Sequence, residues 1–510
     1  MDIRATDLRG ERHDVFAKVG RRVRGFAGEA GTHVLDVRLY DRVFATSDVH
    51  GYYPKLVAMM RTLGLIALDA SCTGDDPYDL RLVTHTRWVA PRTLFVVCGD
   101  LVDGKRGDKT VADPEGSFEF LMHCFLYNLR IKAREKGSAV YAMLGNHDVH
   151  SVVNFVRREG ETGRAYARRT VRDHATFVPY VHPTALQYFA REPARTTLGA
   201  MNDRADALVA FYTCAPYMML TLGTEVIFVH GGLLHVEGGE RSVDLYERAL
   251  ETQMALDAAT TAESRLQVLQ NPRHVVSVDV EGSMDRSALW ARGYALSNTR
   301  AVCSDEATVG LAEKGFGLVV VGHCVTDHGW KALQPNWDAQ CSDRTTEQSQ
   351  GGSAAGCVLM HVCTEPRGVA VALVDTGLSE CMYQSLDEGK SALARPTDVL
   401  YLCKDKRFGA SEVEAFGRTR TYHYTRVRVG PTAAAPVPLN GRVASMVRRS
   451  LTPGGNFRPA DSERRHVKPV PVAVTSEERA RFHADRARYH LSQNNERRAL
   501  RHMASALSRV

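Results

Sequence analysis

A layered α/β fold with its chemistry gathered on loops at one sheet edge is the architecture this sequence predicts, and three observations predict it. Strand-like apolar runs alternate with segments of helical spacing through much of the chain. Five short blocks, Ser47-Asp48-Val49-His50-Gly51, Gly99-Asp100-Leu101-Val102-Asp103, Gly145-Asn146-His147-Asp148, His230-Gly231-Gly232 and Gly322-His323, carry Asp, His and Asn, and four of them directly follow such runs. Loops leaving one edge of a sheet are where layered α/β proteins collect functional side chains.

In chain order, residues 1–35 are charged and weakly patterned and read as an N-terminal extension, and Val34 to Thr46 reads as the strand entering the first block. Pro54 to Leu68 places Leu56, Met59, Met60 and Leu63 on one helical face. Residues 69–92, rich in Asp, Thr and Arg, read as an inserted loop before the strand Thr93 to Cys98. Ser117 to Arg134 reads as a helix and Ala139 to Leu144 as a strand. The interval 149–208 is too long for a plain connection and reads as a lid or subdomain. Val226 to Val229 is a further strand, 241–270 helical, Leu318 to Val321 a strand, Thr345 to Gly356 a flexible loop, and Cys357 to Val362 with Val369 to Asp375 paired strands. The catalytic domain is therefore placed at 36–385. An accessory segment and linker follow at 386–440, with Thr421 to Val429 as an exposed strand and Pro431 to Pro438 as an Ala/Pro linker. The tail, 441–510, reads as partly helical or disordered, with a helix capped at Thr475 or Ser476.

The chain has 510 residues, 44% of them apolar, enough for a substantial core in one large domain with appendages or in several domains. Its formal charge of +6 is a small excess that by itself implies no nucleic-acid partner. From Gly441 to Val510 there are 15 Lys plus Arg against 6 Asp plus Glu, so the basic balance belongs to the tail. A protein or acidic-surface partner suits that tail better than nucleic acid, because aromatic stacking groups are few there. Eleven cysteines without a C-x-x-C pair read as a reduced intracellular chain, and the start of the chain has no apolar signal segment. The stretch Val209 to Val229 is interrupted by polar residues and Pro and reads as buried core, not a membrane span, which makes the expected location the cytoplasm.

Taken singly, the block residues are ordinary: His230 a core histidine, Asp48 or Asp100 a loop cap, Gly145 and Gly231 turn residues. Together they form a ligand set. Asp48 and His50 alternate across one residue and can reach one ion, Asp100 can bridge two, and Asn146, His230 and His323 can complete the second. The imidazoles favour Mn, Fe or Zn over calcium, and such a set predicts two ions roughly 3.5 Å apart. A metal pair of this kind suits hydrolysis of a phosphoester: it activates water and neutralises the transferring oxygens. His147 can then protonate the leaving alkoxide, with Asp103 orienting its imidazole.

On these blocks the chain resembles the calcineurin-like metallophosphoesterase superfamily, within it the serine/threonine phosphoprotein phosphatase type, including its Shewanella-like branch. The family patterns D-x-H-G, G-D-x-x-D, G-N-H-D/E, H-G-G and G-H are similar to Asp48 to Gly51, Gly99 to Asp103, Gly145 to Asp148, His230 to Gly232 and Gly322-His323. The resemblance implies a metallophosphoesterase β-sandwich flanked by helices (α/β/β/α), here with insertions and a C-terminal extension. It also implies that Asp48, His50 and Asp100 hold one metal, that Asp100, Asn146, His230 and His323 hold the other, and that His147 is the general acid with Asp103 its partner. Ser287-Ala288-Leu289-Trp290-Ala291-Arg292 is similar to the family segment S-x-L-W-x-R, implying that Arg292 grips the substrate phosphate. Val374 to Ser379 is similar to the closing D-T-G-x-S turn.

The chain departs from the family at Gly104, where an arginine ordinarily touches phosphate. Lys105 or Arg106 is a candidate replacement, though lysine lacks the arginine fork. The expected function is a dimetal protein phosphatase acting on phosphoserine or phosphothreonine of a phosphoprotein. The alternatives are a phosphoesterase for nucleoside polyphosphates or other small molecules, and a weakly active regulatory scaffold that keeps the fold.

Overall fold

The central strands of this chain are buried on both faces, which is why they read as continuous apolar runs such as Thr93-Leu94-Phe95-Val96-Val97. The computed structural model describes residues 2–9, 12–26, 32–70, 72, 79–102, 117–149, 207, 209–234, 244–271, 287–324, 358–363, 369–376, 378, 397–408, 411–412 and 415–430. All of them lie in Met1–Gly455, the first of the two units into which the chain divides; Asn456–Val510 is the second. The insertion at 149–208 lies outside the described residues except at 149 and 207, and the loop 345–356, the linker 431–438 and the tail lie outside them entirely.

In chain order the strands are β1 (Val34–Leu35), β2 (Arg42–Thr46), β3 (Ile66–Ala67), β4 (Arg87–Trp88), β5 (Thr93–Val97), β6 (Ala139–Ala142), β7 (Met219–Leu222) and β8 (Val226–Val229). They continue with β9 (Leu318–Val321), β10 (Leu359–His361), β11 (Ala370–Leu373), β12 (Thr397–Cys403), β13 (Arg407–Phe408), β14 (Ser411–Glu412), β15 (Gly417–Arg418) and β16 (His423–Val429). One six-stranded sheet has the order β15-β16-β12-β2-β5-β6 and the other β1-β7-β8-β9-β11-β10. In the first, β2, β5 and β6 run parallel, with Val43 opposite Leu94 and Phe95 opposite Val140. In the second, β8, β9 and β11 run parallel, with Ile227 opposite Val319 and Val319 opposite Val371.

The period of two along each strand sorts side chains into layers. Val43, Ala45, Leu94, Val96, Leu400 and Leu402 of the first sheet share one core with Leu220, Phe228, Leu318, Val320 and Ala372 of the second. Phe44, Phe95, Val97 and Tyr401 point the other way, onto Leu56, Met59 and Met60 of the helix Tyr53–Thr62 and Leu121, Phe125 and Leu129 of the helix Ser117–Arg134. The far face of the second sheet, with Ile227, Val229, Val319 and Val321, is covered by Leu245 and Ala249 of the helix Leu245–Ala258 and by Leu311 of Glu306–Glu313. The result is the α/β/β/α layering expected from the sequence.

Several elements differ from the sequence reading. Val34 to Thr46 is two strands in different sheets, parted by a turn at Val37–Leu39 that Asp36 caps through Arg38 N. The helical segment expected at 241–270 is two helices, because Thr261 and Ser264 form a capping box that starts Ala262–Gln270 afresh. The loop expected at 69–92 contains the helix Leu80–Thr84 and strand β4. The N-terminal extension is not detached: its helix Arg12–Arg24 inserts Val15, Phe16, Val19 and Val23 into the helix-side core. The segment 386–440, read as accessory, supplies β12 and β16 to the first sheet, and most of β16 is buried where an exposed strand was expected. Cys303 and Cys363 form a disulfide, against the expectation of a fully reduced chain. Among the described residues no helix is long and apolar enough to cross a membrane.

Because β12 sits between β2 and β16, a chain ended at residue 385 leaves the hydrogen-bonding edge of β2 bare and opens both cores. We expect it to aggregate or to lose its cooperative thermal transition, whereas a chain ended at 430 retains one. A cooperative transition of the 385 chain within a few degrees of the parent, by differential scanning calorimetry, would contradict the placement of β12.

Candidate metal centre

Every candidate ligand leaves the C-terminal end of a strand. Asp48 and His50 follow β2, Asp100 follows β5, Asn146 follows β6, His230 follows β8 and His323 follows β9. The first sheet thus contributes four of the six and the second sheet two. Backbone hydrogen bonds tie the loops: Asp48 N donates to Gly99 O (3.0 Å), His50 N to Asp100 O (2.9 Å) and Gly322 N to His230 O (2.8 Å). His323 N crosses to the other sheet's loop and donates to Asp48 Oδ2 (2.9 Å).

Asp48, His50, Asp100 and His323 all have a left-handed backbone, with φ of 52°, 43°, 54° and 66°. That region costs a residue with a Cβ roughly 1–2 kcal/mol, and its concentration on four of the six candidate ligands is the kind of local strain that accompanies functional sites. Close approach is the second local requirement. A Cβ on Gly145 would overlap the Asp100 carboxylate, and one on Gly322 would overlap Ser47 Oγ and crowd Asp48 Oδ2.

The donor atoms converge in two groups, Asp48–His50–Asp100 and Asp100–His230–His323, each with ligand atoms within 4.8 Å of one another and with Asp100 common to both. His50 Nδ1 lies 2.8 Å from Val102 O and His230 Nδ1 2.7 Å from Cys98 O. Those carbonyls hold the ring proton on Nδ1, so each Nε2 lone pair faces inward, the arrangement in which histidine binds a metal. His50 Nε2 is 3.6 Å from Asp48 Oδ1 and 3.7 Å from Asp100 Oδ2, and His230 Nε2 is 3.4 Å from Asp100 Oδ1. Asn146 turns its amide oxygen to within 2.8 Å of His230 Nε2, while its buried Nδ2 has no hydrogen-bond partner.

Lone pairs on nitrogen and oxygen facing one another at these distances call for protons or a metal cation among them. Titration expresses the same demand. Burial disfavours charge on His230, yet Asp100 and Asp48 overcome it and raise the imidazole to about 10. Burial likewise opposes charge on Asp100, and His230, His147 and His50 together hold its carboxyl well below the usual range. The residues present therefore fit two cations of a kind that accepts imidazole, carboxylate and amide oxygen.

His147 lies beside this centre, its Nε2 3.9 Å from Asp100 Oδ2 and its backbone N–H donating to Asp100 Oδ1 (3.0 Å). Arg292 is also brought in: its Nε donates to His323 Nε2 at 3.2 Å. Burial, then the Arg292 charge, push His323 well below its ordinary value. A neutral imidazole has one lone pair, so ligation through it and this hydrogen bond exclude one another. Asp103, Gly104, Lys105 and Arg106 lie outside the described residues.

The sequence reading assigned no role to the group that joins the two central loops. Asp148, wholly buried, accepts from Leu101 N (3.0 Å) through Oδ1 and from Gly145 N (2.9 Å) through Oδ2. It thereby links the Asp100 loop to the Asn146 loop. Burial, then the Asp100 charge, raise its carboxyl to about 7. The Tyr212 hydroxyl donates to Asp148 Oδ1 (2.7 Å), and His123 Nε2 lies 2.9 Å from that hydroxyl. Asp148 was visible as the last residue of its block, but Tyr212 sits in an apolar stretch with no motif to single it out.

A family model described as calcineurin-like phosphoesterase matches residues 41–324. Among solved structures, a cold-active protein-tyrosine phosphatase of a psychrophilic Shewanella species is similar at 16% identity and a TM-score of 0.37, covering 74% of this chain and 78% of its own. A serine/threonine phosphatase from Saccharomyces cerevisiae is similar at 10% identity and a TM-score of 0.37, covering 81% of this chain and 89% of its own. No curated protein matches the chain.

Since a methyl group on residue 145 collides with Asp100, Gly145→Ala is expected to keep the fold and lose bound metal. Elemental analysis beside circular dichroism checks this. Metal content equal to the parent's would show that the two loops need not approach so closely.

Proposed function

The chain belongs to the calcineurin-like phosphoesterase family, and from that premise we propose that it is a dimetal phosphatase hydrolysing phosphoserine and phosphothreonine monoesters of proteins. The observation that carries the reading is the shared Asp100: one buried carboxylate belongs to both ligand groups, with His147 beside it. Asp48, His50 and Asp100 would hold one ion, and Asp100, Asn146, His230 and His323 the other. Bound there, divalent transition-metal ions supply Lewis acidity toward the phosphate oxygens and make water more acidic. Mn, Fe and Zn all suit the donor set.

The protein's own residues do the rest. With His323 as a ligand, Arg292 would be free of it and could take two phosphate oxygens in its fork. That contact supports a phosphomonoester, whose non-bridging oxygens are free to accept it. His147 gives a proton to the leaving serine or threonine oxygen, and Asp103, three residues after Asp100 in the sequence, is the proposed orienting carboxylate. Asp148 keeps the Asp100 and Asn146 loops in register and so holds His147 beside Asp100, where it would stand next to the bound ions.

The test is manganese-dependent phosphate release from a phosphoserine or phosphothreonine peptide and, in parallel, from a dinucleoside polyphosphate. Peptide turnover is expected to dominate and to fall about 10²–10⁴-fold in His147→Ala, with metal content retained. Asp100→Asn is expected to lose metal and turnover together. Preferential cleavage of the dinucleotide would move the assignment to a small-molecule phosphoesterase. Two bound metals with turnover of neither substrate would favour a regulatory scaffold, and full metal occupancy in Asp100→Asn would remove that residue from its bridging role.

A further inference from the structure

We propose that the chain carries a second ligand site, distinct from the metal centre, that binds a small organic monocarboxylate through Arg130. Arg130 lies on the helix Ser117–Arg134 with only 8% of its surface exposed. Among the described residues no carboxylate or carbonyl oxygen pairs with its guanidinium. Its contacts are the Cys214 thiol, 4.0 Å from Nη1, and the rings of Phe26 and Tyr141, whose centroids lie 5.6 and 5.9 Å from Cζ. A buried guanidinium is ordinarily paired, since its five donors and its charge are costly to strip of water. Ring faces offset part of that cost but offer nothing to the in-plane N–H groups.

Arg130 lines a cavity of about 60 Å³ together with Leu101, His123, Tyr127, Tyr141, Phe211 and Tyr212. The space holds a few waters or the head of a small ligand. Its chemistry selects the ligand class. One planar fork matches one carboxylate in a two-pronged contact, and the aromatic and aliphatic walls suit an apolar body, not a second charge. A phosphate dianion would find only one guanidinium fork in the lining, among mostly aromatic and aliphatic walls. Arg134, whose Cζ is 5.2 Å from the Phe26 ring, adds positive potential nearby. The site is separate from the metal ligands, although its Tyr212 wall also donates to Asp148.

Acetate is the probe, small enough for the cavity, titrated calorimetrically into the full chain. We expect saturable binding with a Kd on the order of a few millimolar, reasonable for a ligand of this size. Arg130→Met is expected to weaken it at least tenfold, and Arg130→Lys, which keeps the charge without the fork, to weaken it less. The lysine variant also serves if the methionine variant does not fold. Asp100→Asn is expected to bind acetate as the parent does, which separates this result from the fate of the dimetal reading. The site is overturned by no binding to the parent, the outcome expected if a carboxylate side chain of the chain itself fills the cavity. Equal affinity in the parent and both Arg130 variants overturns it too, as does loss of acetate binding in Asp100→Asn.

Discussion

Asp48 and Asp100 are buried within reach of the same imidazoles at one edge of the sandwich, and this concentration of negative charge is the constraint on which the rest of the site depends. Burying a carboxylate without compensation is costly, and burying two together adds their repulsion. Against burial, Asp100 and Asp48 raise His230, the imidazoles in turn hold Asp100 low, and burial followed by the Asp100 charge raises Asp148, all around one concentration of negative charge. Protons can relieve it partly; divalent cations relieve it with less reorganisation, because the lone pairs already converge on common points.

Holding such a cluster requires a framework stiffer than the loops that bear it. Four ligands have left-handed backbone, and the glycines at 145 and 322 let neighbouring loops approach more closely than a side chain would permit. Neither feature is favourable in an isolated loop. The strand ends pin each loop at its base, and Asp148 ties two of them together higher up. The free energy for this comes from the three apolar layers beneath, which is where the continuous runs of Val, Leu, Ile and Phe are used.

How much of this was legible in the sequence follows from the range of each interaction. Strands flanking the ligand blocks were readable because burial on both faces makes them uniformly apolar, and the ligands because Asp, His and Asn recur directly after them. The helix Ser117–Arg134 was readable from its own spacing. What was not readable depends on distant partners. Nothing within Thr397–Cys403 reveals that it pairs with Arg42–Thr46, and nothing in Arg12–Arg24 announces that Phe16 will meet Phe120 at 4.7 Å. The Cys303–Cys363 bridge spans 60 residues without a spacing motif. Tyr212 and Arg130 acquire meaning only from what surrounds them, a buried carboxylate in one case and a cavity in the other.

The division of ligands between the sheets has a further consequence for how fold and site are coupled. Asp48, His50, Asp100 and Asn146 ride on the first sheet, His230 and His323 on the second, and the His323 N–H to Asp48 bond crosses between them. Distances within the Asp48–His50–Asp100 group are set by neighbouring strands of one sheet, where hydrogen-bonded register leaves little freedom. Distances within the Asp100–His230–His323 group are set by the packing of Leu94, Val96, Phe228 and Val320 between the sheets, together with the contacts of His230 Nδ1 with Cys98 O and of His323 N with Asp48. Side-chain packing is the softer of the two constraints, so changes of volume in the inter-sheet core act first on the second group. The same core therefore supports stability and sets the geometry of half the site, and the two roles cannot be altered independently.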